Sequence, residues 1–129
     1  MIKKISILIV FLLIMYASSV FAYWSNSDYI TYYNGDNYSQ DMGISPVPKT
    51  TDEATASFQG ANKTTWSTPK ARLVNSNKQD RSGQVDISDN FIHSTKDVNT
   101  TKNYYYYYKI NGAWNQITEG HMYFIYNPY

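Results

Sequence analysis

Two histidines with carboxylates nearby are the residues of this sequence whose types could support acid–base chemistry. His93 stands between Asp89 and Asp97, and His121 follows shortly after Glu119. A histidine beside a carboxylate can act as a general base or acid near neutral pH. No further catalytic motif accompanies either pair, because the sequence carries no nucleophile elbow and no glycine-rich phosphate loop. We therefore predict no catalytic residue and no enzyme activity.

The same residue types are too few and too dispersed for a metal centre or a glycosidase centre. A zinc site needs three or four ligands at workable spacing, and the chain has 2 His and no Cys. Glycosidases need two carboxylates across a cleft, whereas Glu53 and Glu119 both fall in predicted loops. We expect no metal and no cofactor. The lack of Cys also excludes thiol chemistry and disulfides, so the domain must be stable through packing alone.

The N-terminus has the pattern of an export signal. Two lysines precede an apolar run from Ile5 to Met15, and the small residues Val20 and Ala22 follow at the positions of a cleavage site. This pattern predicts a secretory signal peptide over residues 1–22. The run is shorter than the roughly 20 residues that span a bilayer, so we expect no stable membrane span after cleavage. We predict a secreted protein, extracellular or associated with the cell envelope, and a cysteine-free exported chain favours a bacterial source.

The charge balance argues against nucleic-acid and anionic-membrane partners. The chain has 11 basic and 10 acidic residues and a formal net charge of +1. Nucleic-acid binding depends on a basic surface that releases phosphate counterions, and no basic run is present. We expect no nucleic-acid partner.

After the leader the sequence predicts an all-β protein. No window places apolar residues at helical spacing, and Tyr, Thr, Val, Ile and Trp dominate, as suits pleated strands. Recurrent turn signals favour a small antiparallel β-sandwich or a partly closed barrel. We predict an N-terminal strand segment over 23–42 with one good strand, Asp28 to Tyr33. A proline-containing linker over 43–57 and a main β-domain over 58–129 follow.

The C-terminal third contains five consecutive tyrosines, Tyr104 to Tyr108, followed by Asn111-Gly112. Asn-Gly is the strongest two-residue hairpin signal and would fix the register of two strands. With a second turn at Glu119-Gly120 it predicts a three-stranded meander that ends on an exposed edge strand, His121 to Tyr126. Alternation then places one set of side chains on a core face: Tyr104, Tyr106, Tyr108, Ile110, Ala113, Ile117, Met122, Phe124 and Tyr126.

The opposite face of this meander is the candidate ligand-binding site, composed of Tyr105, Tyr107, Trp114 and Tyr123. Aromatic rings beside amides and hydroxyls stack on sugars or enter protein interfaces. The alternative is that a second sheet, built from "KARLVNS", "GQVDIS" and "NFIHS", covers this face and makes it core. The hypothesis that follows is a secreted, non-enzymatic binding module for a cell-wall glycan or an extracellular protein.

A second hypothesis comes from a resemblance. The stretches "YWSNSDY" and "YYYYYKI" near the two ends of the mature chain, with the leader and the absence of Cys, resemble in outline the lactococcin-like secreted bacteriocins. The resemblance implies an antagonistic protein that acts on neighbouring cells, and it assigns no residue a role. Growth inhibition by the purified protein is the measurement that tests this alternative.

Overall fold

The computed structural model describes residues 24–64, 67–112 and 119–129. The predicted signal peptide lies outside these residues. Their secondary structure is nine strands and no helix. The strands are β1 (Asp28–Tyr32), β2 (Gly35–Tyr38), β3 (Val47–Pro48), β4 (Ala56–Ala61), β5 (Lys70–Val74), β6 (Val85–Asp86), β7 (His93–Thr95), β8 (Tyr105–Gly112) and β9 (Gly120–Asn127).

The strands form two antiparallel sheets packed face to face, which confirms the predicted β-sandwich. The sheets do not close into the partly closed barrel that was the alternative prediction. The first sheet has the order β1-β9-β4-β7. The second has the order β2-β8-β5-β6, and β3 also pairs with β8. The two longest strands, β8 and β9, are the central strands of opposite sheets. Each alternates buried and exposed residues because one of its faces lies against the other sheet.

Aromatic rings from three strands form the centre of the core. Phe124 lies 4.4 Å from Tyr108 and 6.4 Å from Phe58, measured between ring centroids. Tyr126 lies 5.0 Å from Tyr108 across the two sheets, and its hydroxyl donates a 2.8 Å hydrogen bond to the carbonyl of Tyr106. These rings are buried, so a chain without disulfides obtains its stability from aromatic packing.

The predicted core face is largely confirmed. Its buried members are Tyr106, Tyr108, Ile110, Met122, Phe124 and Tyr126. The prediction that Tyr104 belongs to the core is wrong. Its side chain is 64% exposed, because β8 begins one residue later, at Tyr105. Ala113 and Ile117 lie outside the described residues.

The pairing of the C-terminal strands differs from the predicted meander. Asn111 and Gly112 do not form a hairpin turn but continue β8. Ile110 pairs with Asn37 of β2 on one side and with Ala71 of β5 on the other, which leaves no side of β8 for a hairpin partner there. The strand β9 pairs instead with β1 and β4 in the first sheet. The prediction that β9 is an exposed edge strand is therefore wrong.

The N-terminal residues belong to both sheets. The strand β1 pairs with β9, and β2 pairs with β8. Residues 43–57, predicted as a linker, contain β3 and the first two residues of β4. In the same segment Lys49 is buried, and its ammonium group donates to the carbonyls of Glu53 and Pro128. Burial lowers the pKa of Lys49, with Asp52 and Glu53 opposing that shift.

Two buried phenols are expected to make the protein sensitive to alkaline pH. Burial is the main cause that raises the pKa of both Tyr108 and Tyr126 above the ordinary value. In the unfolded chain both ionise near pH 10, whereas the folded protein keeps both protons. Above pH 10 the unfolded state binds fewer protons, so the free energy of unfolding should fall by about 1.4 kcal/mol per pH unit for each tyrosine.

Denaturant unfolding from about pH 9 to about pH 11.5 measures this slope. The variant Tyr108→Phe/Tyr126→Phe should lose both contributions and give a shallower slope. The control Tyr105→Phe changes an exposed phenol and should keep the slope of the wild type. Equal slopes for the double variant and the wild type would contradict the prediction.

Candidate functional site

The sandwich separates the predicted site residues. Tyr105 and Tyr107 project from β8 on the outer face of the second sheet, and Tyr123 projects from β9 on the outer face of the first. Trp114 lies outside the described residues. The prediction that Tyr123 shares a face with Tyr105 and Tyr107 is wrong, because β8 and β9 belong to different sheets. The two outer faces are therefore considered separately.

The outer face of the second sheet is occupied by an ion-pair cluster. Asp80 lies 2.6 Å from Arg72 and 3.0 Å from Lys109, and Lys109 also lies 3.6 Å from Asp36. Burial opposes the ionisation of Asp80, but its hydrogen bond to Lys109 and the charge of Arg72 hold the pKa of Asp80 below its usual value. Asp80 and Asp36 thus form ion pairs with Arg72 and Lys109 on this face.

Tyrosines of the second sheet fall into two groups around this cluster. The ring of Tyr38 has the Lys78 and Lys109 ammonium groups 5.0 Å and 5.5 Å from its centroid, which is cation–π distance. Tyr107 is half-buried opposite Val74. Tyr105 is 60% exposed at the start of β8. The strand "KARLV", proposed as part of a covering sheet, is β5 and lies beside β8 in the same sheet. It therefore leaves Tyr105 uncovered.

The outer face of the first sheet gathers exposed aromatic rings. The register of β1 and β9 sets Tyr29 opposite Tyr123 and Thr31 opposite His121. The next strand, β4, adds Ala61 beside Tyr123 and Gln59 beside Ile125. We call this surface the tyrosine face; it comprises Tyr29, Thr31, Gln59, Ala61, His121, Tyr123 and Ile125. Paired residues of an antiparallel sheet point to the same side, so these side chains form one surface.

The rings of the tyrosine face contact one another. Tyr29 and His121 are parallel within 4°, with ring centroids 5.5 Å apart. Tyr29 and Tyr123 lie 4.9 Å apart at an angle of 56°. Tyr29 on the edge strand β1 is 57% exposed, and Tyr123 on the central strand β9 is 46% exposed. A shallow cavity of about 130 Å³ beside Tyr123 is lined by Gln59, Ala61 and Ile125.

Polar side chains surround the His121 ring of the tyrosine face. The hydroxyl of Thr31 lies 3.0 Å from Nδ1 of His121, and Nε2 of His121 lies 3.4 Å from a carboxylate oxygen of Glu119. The hydroxyl of Tyr33 donates to the other oxygen of Glu119 at 3.2 Å. That hydrogen bond and the charge of Glu119 raise the pKa of Tyr33. Both nitrogens of His121 are engaged, so these contacts fix its ring plane parallel to Tyr29.

The two histidine–carboxylate pairs of the sequence are both present, in different settings. Nε2 of His93 lies 2.5 Å from Asp89, and this hydrogen bond lowers the pKa of the exposed Asp89 carboxyl. His93 is on the edge strand β7, with its backbone paired to Phe58. His121 lies within the tyrosine face. In the described part of the chain, no three His, Cys, Asp or Glu side chains are grouped as a metal site would require.

Tyr29 and Thr31 were missed as members of a site, whereas His121 was named as part of a histidine–carboxylate pair and not as a ligand-binding residue. Alternation in "SDYITY" does place Tyr29 and Thr31 on the face opposite Ile30 and Tyr32. The sequence does not show that this strand pairs with β9, which lies about ninety residues further along the chain. The signal was therefore present in β1, but its partner was not identifiable.

The fold and this surface define a two-layer β-sandwich with an exposed aromatic face on its first sheet. No protein-family model, curated protein or solved structure matches the chain. No helix in the described ranges is long and apolar enough to cross a membrane.

Proposed function

We propose that the protein is a secreted, non-enzymatic binding module that holds a glycan on the tyrosine face. The observation that carries the proposal is the contact cluster of Tyr29, His121 and Tyr123, in which the Tyr29 and Tyr123 rings are exposed on the outer face of the first sheet. Exposed aromatic rings in contact are unusual for a surface that has no partner.

The groups around the rings favour a sugar ligand. Binding sites for small ligands combine apolar and aromatic surface with a few convergent polar groups. Here the rings supply the apolar surface for the C–H faces of a sugar. The Glu119 carboxylate, the Thr31 hydroxyl and the Gln59 amide lie around them and provide acceptors and donors for sugar hydroxyls. The ring of His121 is already positioned by its contacts with Thr31 and Glu119, which reduces the entropy lost when a ligand binds.

The outer face of the second sheet is less suited to this role. Its cations and carboxylates already neutralise one another, and Tyr38 is covered by two ammonium groups. A ligand there would have to break the contacts of Asp80 and Asp36 with Arg72 and Lys109. We therefore assign the aromatic binding surface to Tyr29 and Tyr123 and treat Tyr105 and Tyr107 as a separate surface.

Export is the second part of the proposal and rests on the sequence. Residues 1–22 have the charged, apolar and small-residue regions of a signal peptide. A glycan of the cell wall or of the extracellular medium is a ligand that an exported protein meets. N-terminal sequencing of the protein from culture medium tests this part, and an intact Met1 terminus there would contradict cleavage.

The binding experiment uses insoluble polysaccharides and soluble oligosaccharides. The purified protein should sediment with at least one insoluble polysaccharide, and a soluble oligosaccharide of the same sugar should release it. Isothermal titration calorimetry with that oligosaccharide gives the affinity. Failure to bind any polysaccharide in a panel that includes cellulose, chitin, chitosan and peptidoglycan would contradict the proposal.

A further inference from the structure

A groove with an unpaired carboxylate runs beside the edge strand β1. Two cavities of about 320 Å³ and 330 Å³ lie next to each other and share Asp28 and Ile44 in their walls. Each is near the lower end of the usual range of ligand pockets, about 300–1,000 Å³. The larger one is also lined by Tyr29 and Thr31, two members of the tyrosine face. We call the two cavities together the β1 groove, and it continues the tyrosine face around the sheet edge.

Among the residues that the structure describes, Asp28 is the only charged one that lines this groove. Its backbone pairs with Phe124, so its side chain points to the inner side of the first sheet with that of Ile30. Asp28 is half-buried, and burial raises the pKa of its carboxyl. No hydrogen bond or ion pair joins this carboxylate to another residue in the described part of the chain. A partly buried carboxylate without a partner is costly, and a cation would remove that cost.

A second polar group near Asp28 also lacks a partner. The hydroxyl of Tyr108 is fully buried and makes no hydrogen bond with any described residue. After burial, the charge of Asp28 is the next contribution to the raised pKa of Tyr108, so the two groups lie within electrostatic reach of each other. The negative charge of Asp28 therefore acts in a setting of low polarity, where a positive charge placed beside it would be favourable.

The remaining polar lining of the groove suits a sugar. Ser25, Asn26 and Ser45 provide hydroxyl and amide groups around the first cavity, while Ile44 and Pro46 provide apolar wall. Within residues 24–64, 67–112 and 119–129, no Lys, Arg or His lines either cavity. The groove therefore offers one negative charge, several neutral hydrogen-bonding groups and an apolar side, within reach of the stacked rings.

We propose that the β1 groove binds the protonated amine of an amino sugar, so that the glycan held by the tyrosine face contains free-amine hexosamine units. An ammonium group donates up to three hydrogen bonds and supplies the charge that Asp28 lacks. Tyr29 belongs to both surfaces, so one glycan chain along β1 contacts the rings with one unit and Asp28 with another. This inference deepens the proposed function and rests on it.

The test compares two oligosaccharides of equal length that differ only in the amine. The tetramer of glucosamine carries free amines, and the tetramer of N-acetylglucosamine carries acetylated ones. Isothermal titration calorimetry should give at least tenfold tighter binding of the free-amine tetramer. Asp28→Asn should abolish that preference. Asp97→Asn removes an exposed carboxylate beside β7, at the opposite edge of the first sheet, and should preserve it.

Three results would overturn the inference: equal affinities for the two tetramers, a preference that survives Asp28→Asn, or no binding of the free-amine tetramer. A lysine-containing peptide that binds through Asp28 more tightly than the free-amine tetramer would also overturn it, by assigning the groove to a protein partner.

The failure of this inference and the failure of the proposed function are distinguishable. If both tetramers bind equally and binding depends on Tyr29, only the amine specificity is wrong. Methyl glucosaminide, a single sugar with a free amine, tests the groove without the tyrosine face through nuclear magnetic resonance shifts around Asp28. If it shifts those signals while no oligosaccharide depends on Tyr123, the groove is correct and the proposed function is wrong.

Discussion

Replacing Tyr29 and Tyr123 together with alanine is expected to weaken glycan binding by roughly a thousandfold while the protein stays folded. An aromatic residue at the centre of a binding surface typically contributes about 2 kcal/mol, and each 1.4 kcal/mol corresponds to tenfold in affinity. The two rings lie 4.9 Å apart, so one ligand contacts both. Calorimetry with the best-bound oligosaccharide measures the loss.

Stability should change little in this variant because both side chains are largely exposed. Surface substitutions of this kind usually alter the free energy of unfolding by less than about 1 kcal/mol. Denaturant unfolding checks that the loss of binding does not result from unfolding. A large loss of stability would place these rings in the core rather than at a binding surface.

The matched control is Tyr104→Ala with Tyr105→Ala. These two tyrosines are 64% and 60% exposed, comparable with Tyr29 and Tyr123, but they lie at the start of β8 on the second sheet. The control removes the same amount of aromatic surface and should leave the affinity unchanged. If the control variant loses as much affinity as Tyr29→Ala/Tyr123→Ala, the tyrosine face is not the specific site.

The faces of individual strands were predictable from the sequence. In β8 the alternation of five tyrosines correctly gave Tyr106 and Tyr108 as core, wrongly gave Tyr104 as core, and left open whether Tyr105 is exposed or covered. In β9 it correctly gave Met122 and Phe124 as core. Alternation is a local property of the pleated chain, so it holds whichever strand lies alongside.

The partners of those strands were not predictable. Asn111-Gly112 carries the composition of a hairpin turn, yet these residues pair with Asp36 and Gly35 of β2. The Asn-Gly signal describes only the local conformational preference of the dipeptide. In the folded protein, burying the apolar face of each strand contributes more stability than a turn would, so strand pairing overrides the turn preference. The pairing of Gly35 with Gly112 joins residues far apart in sequence, and no spacing rule indicates such a pair.

The same limitation explains the error in the candidate site. Tyr123 was correctly placed on the face opposite Met122 and Phe124, but its neighbours were taken from β8. The ring that contacts Tyr123 is Tyr29 of β1, which also stacks on His121 of β9. A surface built from several strands depends on strand order, which one sequence without related sequences does not specify.

Gly120→Ala is expected to lower the free energy of unfolding by about 3 kcal/mol, near the upper end of what overpacking costs. Gly120 pairs with Tyr32, whose ring lies directly over it. A methyl group on Gly120 would lie 2.7 Å from the Tyr32 hydroxyl oxygen and 2.8 Å from Cε2 of that ring. Tyr32 is fully buried, so its ring has little room to move. Denaturant unfolding measures the loss.

Gly83→Ala is the control for adding a methyl group at a glycine whose neighbouring atoms are less close. Its nearest neighbour would be the Thr95 hydroxyl at 3.2 Å, and that side chain can rotate. We expect a loss below about 1 kcal/mol for this variant. Equal losses for Gly120→Ala and Gly83→Ala would show that the Tyr32 ring does not restrict Gly120.

A double-mutant cycle with Tyr32→Leu separates the ring contact from other effects of the methyl group. Leucine lacks the ring atoms that approach Gly120, so Gly120→Ala should cost much less in that background than in the wild type. The contact also bears on the site, because Glu119 and His121 flank Gly120 in the chain. If Tyr32 sets the position of Gly120, Gly120→Ala should weaken glycan binding even at temperatures where the variant is fully folded. Unchanged affinity in the folded variant would restrict the role of this contact to stability.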